Sequence, residues 1–365
     1  MSILIKHMRR VPLHVIWEIT NACNLRCIHC EGSAGRRDPG ELSTDEALKL
    51  CDALIDEGCR NCNVTGGEPL LRRDWDSICS RLAEGGVKVT LVTNGTCVDE
   101  AVIRRALKAG VSSVALSLDG TRATHDRIRP KGAHRKSSFD DVMNAIGLLR
   151  PSGLDIAVIT HINRWNIDEL KDVYALISQK GAALWQVQLG LPLGRLRRIE
   201  EPYMISPRQL MPVARLLGSL ILEDRRPAIR VTDTIGYYSE WEPVLRRPIR
   251  GGLGFWTGCY AGILCAGIES NGNVKGCPSQ PPEFIAGNIR DRPFHDLWAD
   301  EHGFAYNTRW QEEKLTGFCA RCPYRRLCRA GCTSLAYSVT GTIYENPYCL
   351  HRVSTLGEDG EEKQP

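Results

Sequence analysis

Cys23, Cys27 and Cys30 stand in the run C-N-L-R-C-I-H-C, a C-x3-C-x2-C triplet just behind the apolar run Val15-Ile16-Trp17. Thiolates are the soft donors that iron–sulfur clusters take, and three so spaced can hold three corners of a [4Fe-4S] cube. The fourth iron then has no protein ligand, and an open position on a metal centre is a place for chemistry. A structural zinc site is the competing reading of the triplet alone. Further along, Gly66-Gly67-Glu68-Pro69 places paired glycines beside a carboxylate, a combination that lets backbone approach a ligand closely. Near the other end come Cys259, Cys265 and Cys277, then Cys319, Cys322, Cys328 and Cys332, with Cys349 last. Eight thiols are enough for two four-thiolate clusters, and their C-x2-C knuckle also suits tetrahedral zinc.

These residues need a scaffold, and the pattern supplies one. Short β-branched runs at 15–20, 62–65, 88–93, 113–118, 155–162 and 184–189 read as strands. Amphipathic stretches at 44–57, 75–84, 100–109, 139–150 and 167–180 read as the helices between them, and Ser43 with Glu46 has capping-box spacing. Strand–helix alternation implies a parallel sheet with right-handed crossovers. Six repeats predict an α/β fold, a partial (β/α)6 TIM-like barrel, and the jump in cysteine density from Cys259 onward marks a small cysteine-rich domain after it. An open doubly wound sheet shares the same periodicity. In both architectures the active site lies at the strands' C-terminal ends, where the triplet, T-G-G-E-P, T-N-G and S-L-D-G all fall. The expected organisation is an N-terminal extension over 1–13, the barrel over 14–190, a bridge over 191–258 containing a helix at 210–222, the cysteine-rich domain over 259–351, and a disordered acidic tail over 352–365. Gly272 in S-N-G-N marks a hairpin turn ahead of Cys277.

Composition narrows the class. Sixteen cysteines in a chain without a signal peptide point to metal or redox chemistry in a reducing cytoplasm rather than to disulfides. No apolar run approaches the roughly 18 residues of a membrane span. A net charge of +4 is too small to imply a polyanionic partner, and the short basic runs lack interleaved aromatics, so no nucleic acid is expected. Arg195, Arg197 and Arg198, and likewise Arg246 and Arg247 with Arg250, read as solvated faces or as phosphate or acidic-peptide contacts. The basic stretch 130–138 reads as a surface insertion, with a substrate loop as the alternative. Cys51, Cys59, Cys62 and Cys79 fit buried small hydrophobes. Cys97, two residues past T-N-G, is the one spare thiol near the barrel rim and a candidate hydrogen-atom donor.

The triplet together with Gly66-Gly67-Glu68 resembles the radical S-adenosylmethionine (radical SAM) superfamily over roughly 14–190, and the late cysteines resemble its SPASM auxiliary-cluster domain over 259–349. The resemblance implies reductive cleavage of S-adenosylmethionine to a 5′-deoxyadenosyl radical that abstracts a substrate hydrogen. It assigns Cys23, Cys27 and Cys30 to the cofactor-binding [4Fe-4S] cluster and Gly66, Gly67 and Glu68 to the methionyl amine. Ser117 is implied near the ribose and carboxylate, and Thr93, Asn94, Arg129 and Asn163 as further contacts. His29 takes the place of a common aromatic residue near adenine. Cys259, Cys265, Cys277 and Cys332 are implied to hold one auxiliary [4Fe-4S] cluster, and Cys319, Cys322, Cys328 and Cys349 the other, three clusters in all. The implied substrate is a ribosomal precursor peptide, which is crosslinked, epimerised or oxidised. Alternatives are a small sugar or cofactor precursor and, less expected, a non-catalytic electron carrier. A flavodoxin- or ferredoxin-type reductant is implied. The short stretch before the first strand leaves no room for a fused peptide-recognition domain, so a separate recognition protein is a further expected partner. Sulfatase-maturing members carry an acidic residue after the third auxiliary cysteine; Pro278 stands there and disfavours that activity.

Overall fold

A computed structural model describes residues 10–131, 137–199, 202–247 and 254–356; the basic stretch at 132–136 and residues 357–365 of the expected tail lie outside them, while the start of that tail is not disordered but belongs to the helix Leu350–Thr355. Strands β1 (His14–Glu18), β2 (Asn61–Thr65), β3 (Lys88–Thr93), β4 (Ser113–Ser117), β5 (Asp155–Ile162) and β6 (Leu184–Leu189) lie parallel in sequence order. Between them run α1 (Thr44–Asp56), α2 (Trp75–Glu84), α3 (Glu100–Lys108), α4 (Arg122–Ile128), α5 (Ser138–Leu149) and α6 (Leu170–Gln179). The capping box forms: the Glu46 amide donates to Ser43 Oγ and the Ser43 amide to Glu46 Oε2. α1 then buries Ala47, Leu50, Cys51 and Leu54, the i, i+3, i+4, i+7 stripe that an amphipathic helix lays on a sheet. Helix α4 was not expected from the sequence. At seven residues its apolar stripe is too short for periodicity to register.

Two features extend the six-stranded expectation. The segment read as a bridge contributes α7 (Leu210–Leu222) and a seventh parallel strand, β7 (Ala228–Val231), paired with β6. Four residues behind Arg225-Arg226-Pro227 give too little alternation to announce a strand. On the other edge, β8 (Cys265–Ile268) runs parallel to β1, with His14 opposite Cys265. Strands β9 (Asn273–Lys275) and β10 (Gly287–Asn288) follow antiparallel, so the first cysteine-rich hairpin continues the barrel sheet to ten strands. Gly272 turns that hairpin with φ +90°, a left-handed value suited to glycine.

The apolar core lies between sheet and helices. Val15, Trp17, Cys62, Val64, Val89, Trp185 and Val187 are fully buried and point outward to the helices. The alternate residues face the lumen and are largely polar, among them Glu18, Asn63, Thr90, Ser117, His161 and Gln188. A closed eight-stranded barrel packs its interior with branched side chains; this one keeps a cavity at each end.

Candidate active site and the cysteine groups

The triplet occupies the loop after β1, and its shape is set by backbone. Cys23 N–H donates to Gly35 O, and Cys30 N–H to Cys27 O. Leu25 N–H reaches Cys23 Sγ at 3.5 Å and Ala34 N–H reaches Cys30 Sγ at 3.4 Å, so two sulfurs already accept amide hydrogens. Arg195, from the loop after β6, clips the same turn by donating to Cys27 O and Ala34 O, both at 2.8 Å. Burial pushes the Cys23 thiol up to about 11 and raises Cys27 despite the nearby Arg129 guanidinium. Thiols so placed ionise readily only with a cation beside them, which is what a metal ligand needs.

The glycine pair explains itself by contact. Gly67 N–H donates to Thr20 O and Glu68 N–H to Ala22 O, each at 2.7 Å, joining the end of β2 to the triplet loop. A Cβ at Gly66 would sit 2.4 Å from Thr20 O, and one at Gly67 2.3 Å from Ala22 O, so neither position admits a side chain. Glu68, expected at the rim, is turned inward. Its carboxylate accepts from Thr93 Oγ1, Asn94 N–H and Leu70 N–H, and burial outweighs these bonds to push its pKa up to about 7. The backbone of the motif faces the cavity; the carboxylate braces it from behind.

A charged and aromatic cluster closes the opposite wall. Buried Asp119 accepts from Arg129 Nε at 2.6 Å and from His161 N–H at 2.8 Å. Burial opposes ionisation, yet Arg129 and the surrounding imidazoles hold the Asp119 carboxyl well below the usual range. The His29 and His161 rings stand 4.5 Å apart. Burial keeps both neutral, pushing His161 down to about 4 and His29 well below its ordinary value. Arg129 Nη2 lies 3.3 Å from His29 Nε2, and Gln188 Nε2 lies 2.7 Å from His161 Nε2. A guanidinium can only donate, so His29 Nε2 is the acceptor and its proton sits on Nδ1. Both Nδ1 atoms are buried and have no partner among the described residues.

One cavity of about 600 Å³ connects these parts. Cys23, Cys27, Cys30, Gly66, Gly67, Thr93, Asn94, Ser117, Arg129 and His29 all line it. Three expected residues do not. Glu68 faces away as described. Asn163 is fully buried and donates to His161 O and Tyr203 Oη, a clamp behind β5. Cys97 is turned toward Asn24 Nδ2 at 3.6 Å and Thr96 Oγ1 at 3.7 Å, which takes its thiol off the cavity wall. The sequence reading missed Glu18, His161, Gln188 and Lys275, which do line the cavity, and Asp119 behind it. The first three follow the period-2 rule of strands whose outward partners are apolar; Lys275 and Asp119 carried no comparable signal.

The residues present fit a three-thiol cube with a docked sulfonium nucleoside. Three soft donors and no fourth cysteine line the cavity among the described residues, two glycines leave room for close approach, and the His29 and His161 side chains line the wall opposite.

The late cysteines separate into two groups. Burial, then the charges of Cys277 and Cys259, raise Cys265; burial, then Cys259 and Cys277, raise Cys332. Burial, then Cys349, Cys319 and Cys322, raise Cys328. Cys265 and Cys332 thus lie within electrostatic reach of Cys259 and Cys277, and Cys328 within reach of Cys319, Cys322 and Cys349.

Comparison with known proteins agrees with this geometry. The radical SAM superfamily model matches residues 17–177, and the SPASM model of an iron–sulfur cluster-binding domain matches 259–323. The chain is 30% identical over 355 residues to the AdoMet-dependent heme synthase of Methanosarcina barkeri, covering 94% of this chain and 98% of that one. It is 31% identical over 343 residues to the mycofactocin maturase MftC of Mycolicibacterium smegmatis, covering 92% and 81%. Streptococcus suis SuiB bound to S-adenosylmethionine shares the fold, with a TM-score of 0.72 at 16% identity over 92% of this chain and 76% of that one. The chain belongs to the radical SAM superfamily and carries a SPASM iron–sulfur domain.

Proposed function

We propose that this radical SAM enzyme acts on a side chain of a peptide, with Cys23, Cys27 and Cys30 holding the cofactor-binding cube and the two late cysteine groups holding one auxiliary [4Fe-4S] cube each. When bound, the reduced cube and S-adenosylmethionine supply the carbon–sulfur cleavage and hydrogen abstraction that side chains cannot perform. The chain's own residues bind and orient. Gly66 and Gly67 present backbone to the methionyl group, the neutral rings of His29 and His161 offer a wall for the base, and Arg129, fixed by Asp119, sets the angle of His29. Full thiolate ligation leaves the auxiliary cubes no open iron, which suits them to electron transfer from the substrate or from a flavodoxin- or ferredoxin-type donor.

The observation that carries the peptide reading is the cavity's size and reach. It runs from the triplet to Lys275 and the Pro278–Pro282 turn of the auxiliary hairpin, yet its roughly 600 Å³ must hold the cofactor as well as the reacting group. That volume lies within the usual range for one drug-sized ligand, so a side chain or the edge of a larger molecule enters rather than a whole one. The MftC relative supports a peptide. A second reading, a tetrapyrrole precursor entering edge-first, draws on the heme synthase relative, whose length this chain matches almost completely.

The test is anaerobic turnover with dithionite, S-adenosylmethionine and each candidate substrate. A short peptide encoded beside the gene is expected to raise 5′-deoxyadenosine formation and to lose mass itself. Stimulation by an iron tetrapyrrole and none by peptide would replace the first reading with the second.

A further inference from the structure

The other end of the barrel carries a feature that radical chemistry does not use. A second cavity of about 680 Å³ opens at the N-terminal ends of the strands, where His14, Lys88, Ser113, Asp155 and Leu184 begin or flank β1 and β3 to β6. Its wall carries Lys88, Arg225, Arg226, Arg230 and Arg247 against two carboxylates, Asp155 and Asp224. None of the five cations has a salt bridge or a side-chain hydrogen bond among the described residues.

Arg230 is the most telling. It projects from β7 into the lumen and is open to the cavity, yet surrounded closely enough that burial lowers its pKa, with no carboxylate acting in the other direction. Across the lumen, burial and then the charge of Arg230 hold His14 below its ordinary value. Five solvent-reached cations against two carboxylates around one recess leave a net positive potential at its mouth. Guanidinium groups in such a place match planar or tetrahedral oxyanions, which they bind through paired N–H donors. Asn63, Thr90 and Ser113 add uncharged hydrogen-bonding groups, and Leu184, Leu220 and Ile229 add apolar surface. The arrangement suits a multiply charged anion with an organic body better than a bare ion.

We infer that this lower cavity is a binding site for a small organic polyanion, a phosphate ester or a polycarboxylate, separate from the radical site. It stands independently of the substrate reading, since it shares no lining residue with the upper cavity.

Calorimetric titration of the anaerobic holoenzyme at low ionic strength tests it, with pyrophosphate, ATP and citrate as probes and glucose as the neutral control. At least one anion is expected to bind saturably and raise the melting temperature, and the binding is expected to weaken as salt shortens the screening length. Response to pyrophosphate and ATP alone identifies a phosphoryl site; response to citrate alone identifies a polycarboxylate site. The double variant Arg226→Gln/Arg230→Gln is expected to lose roughly tenfold or more in affinity, with iron content and 5′-deoxyadenosine formation unchanged. Should the double variant fail to fold, the exposed single variant Arg225→Gln is expected to weaken binding measurably. Absence of saturable binding to the wild type, or equal affinity in the variants, overturns the inference.

Discussion

The barrel and the second late cysteine group are held by different forces. The barrel rests on one continuous apolar layer in which Trp17, Trp75 and Trp185 are buried to within 1% exposure. Each strand is paired on both sides along β1 to β6. The region around Cys319 and Cys322 has less of this, although Cys328, Tyr348, Cys349 and Leu350 join the barrel's apolar layer. Its helices Gly317–Arg321 and Arg325–Cys328 are five and four residues long, below the length at which a helix sustains itself. Its own buried cluster is Leu315, Cys319 and Ala330, and Arg329 and Ala330 both take left-handed backbone at φ +54° and +59°. Non-glycine residues there cost about 1–2 kcal/mol each, which the small cluster around Ala330 and the Arg329–Trp310 contact must offset. Thiolate–metal bonds are the further source of stability there. The first late group sits between these extremes, since β8 and β9 tie Cys265 and its neighbours into the barrel sheet.

That contrast can be broken at several points. The largest effect is expected from Cys23→Ala/Cys27→Ala/Cys30→Ala, which should lower 5′-deoxyadenosine formation to background while iron analysis still finds the two auxiliary cubes and circular dichroism finds the barrel folded. Loss of the barrel would show that the triplet is structural. Next, Cys322→Ala should raise amide hydrogen exchange across 317–349 by roughly tenfold or more, leaving β1 to β6 protected. Equal protection in the variant would mean that packing suffices there. Within the barrel, Asp119→Ala strands the buried Arg129 guanidinium and is expected to cost about 3–5 kcal/mol in denaturant stability; a loss below about 1 kcal/mol would put the pair in solvent.

The smallest effect concerns pH. His125 is fully buried, accepts the Asp119 amide on Nδ1, and is pushed down to about 4 by burial and then by Arg129. The unfolded chain takes up this proton near pH 6.5 and the native one near 4, so stability falls as pH drops between those values. From pH 6.5 to 5 the loss is about 2 kcal/mol. His125→Asn keeps an acceptor for the amide and should lessen the pH slope of stability read from urea midpoints, leaving the share that buried His29 and His161 contribute. An unchanged slope would contradict the neutral, buried imidazole.

Much of the site was legible because spacing alone reports it. Metal-binding cysteines and a glycine pair at the end of a strand fix their own surroundings, and the strands around them alternate or run apolar for five or more residues. What escaped was set by tertiary contact. Glu68 reads as a rim carboxylate, and only its bonds to Thr93 and Asn94 reveal that it faces inward. Strand β7 has too few residues to alternate, and nothing in C-A-G-I announces that it pairs beside β1 rather than within a separate domain. His161 shares its strand with six apolar or small neighbours, and its role depends on His29, 132 positions earlier in the chain.

The most direct measurement is the electron paramagnetic resonance of the dithionite-reduced enzyme with and without S-adenosylmethionine, in the wild type and in the triple cysteine variant. A reduced [4Fe-4S] signal that shifts with the sulfonium in the wild type and is missing from the variant is the predicted result. A signal indifferent to the sulfonium, or a shift that survives replacement of Cys23, Cys27 and Cys30, would contradict an open iron at that site.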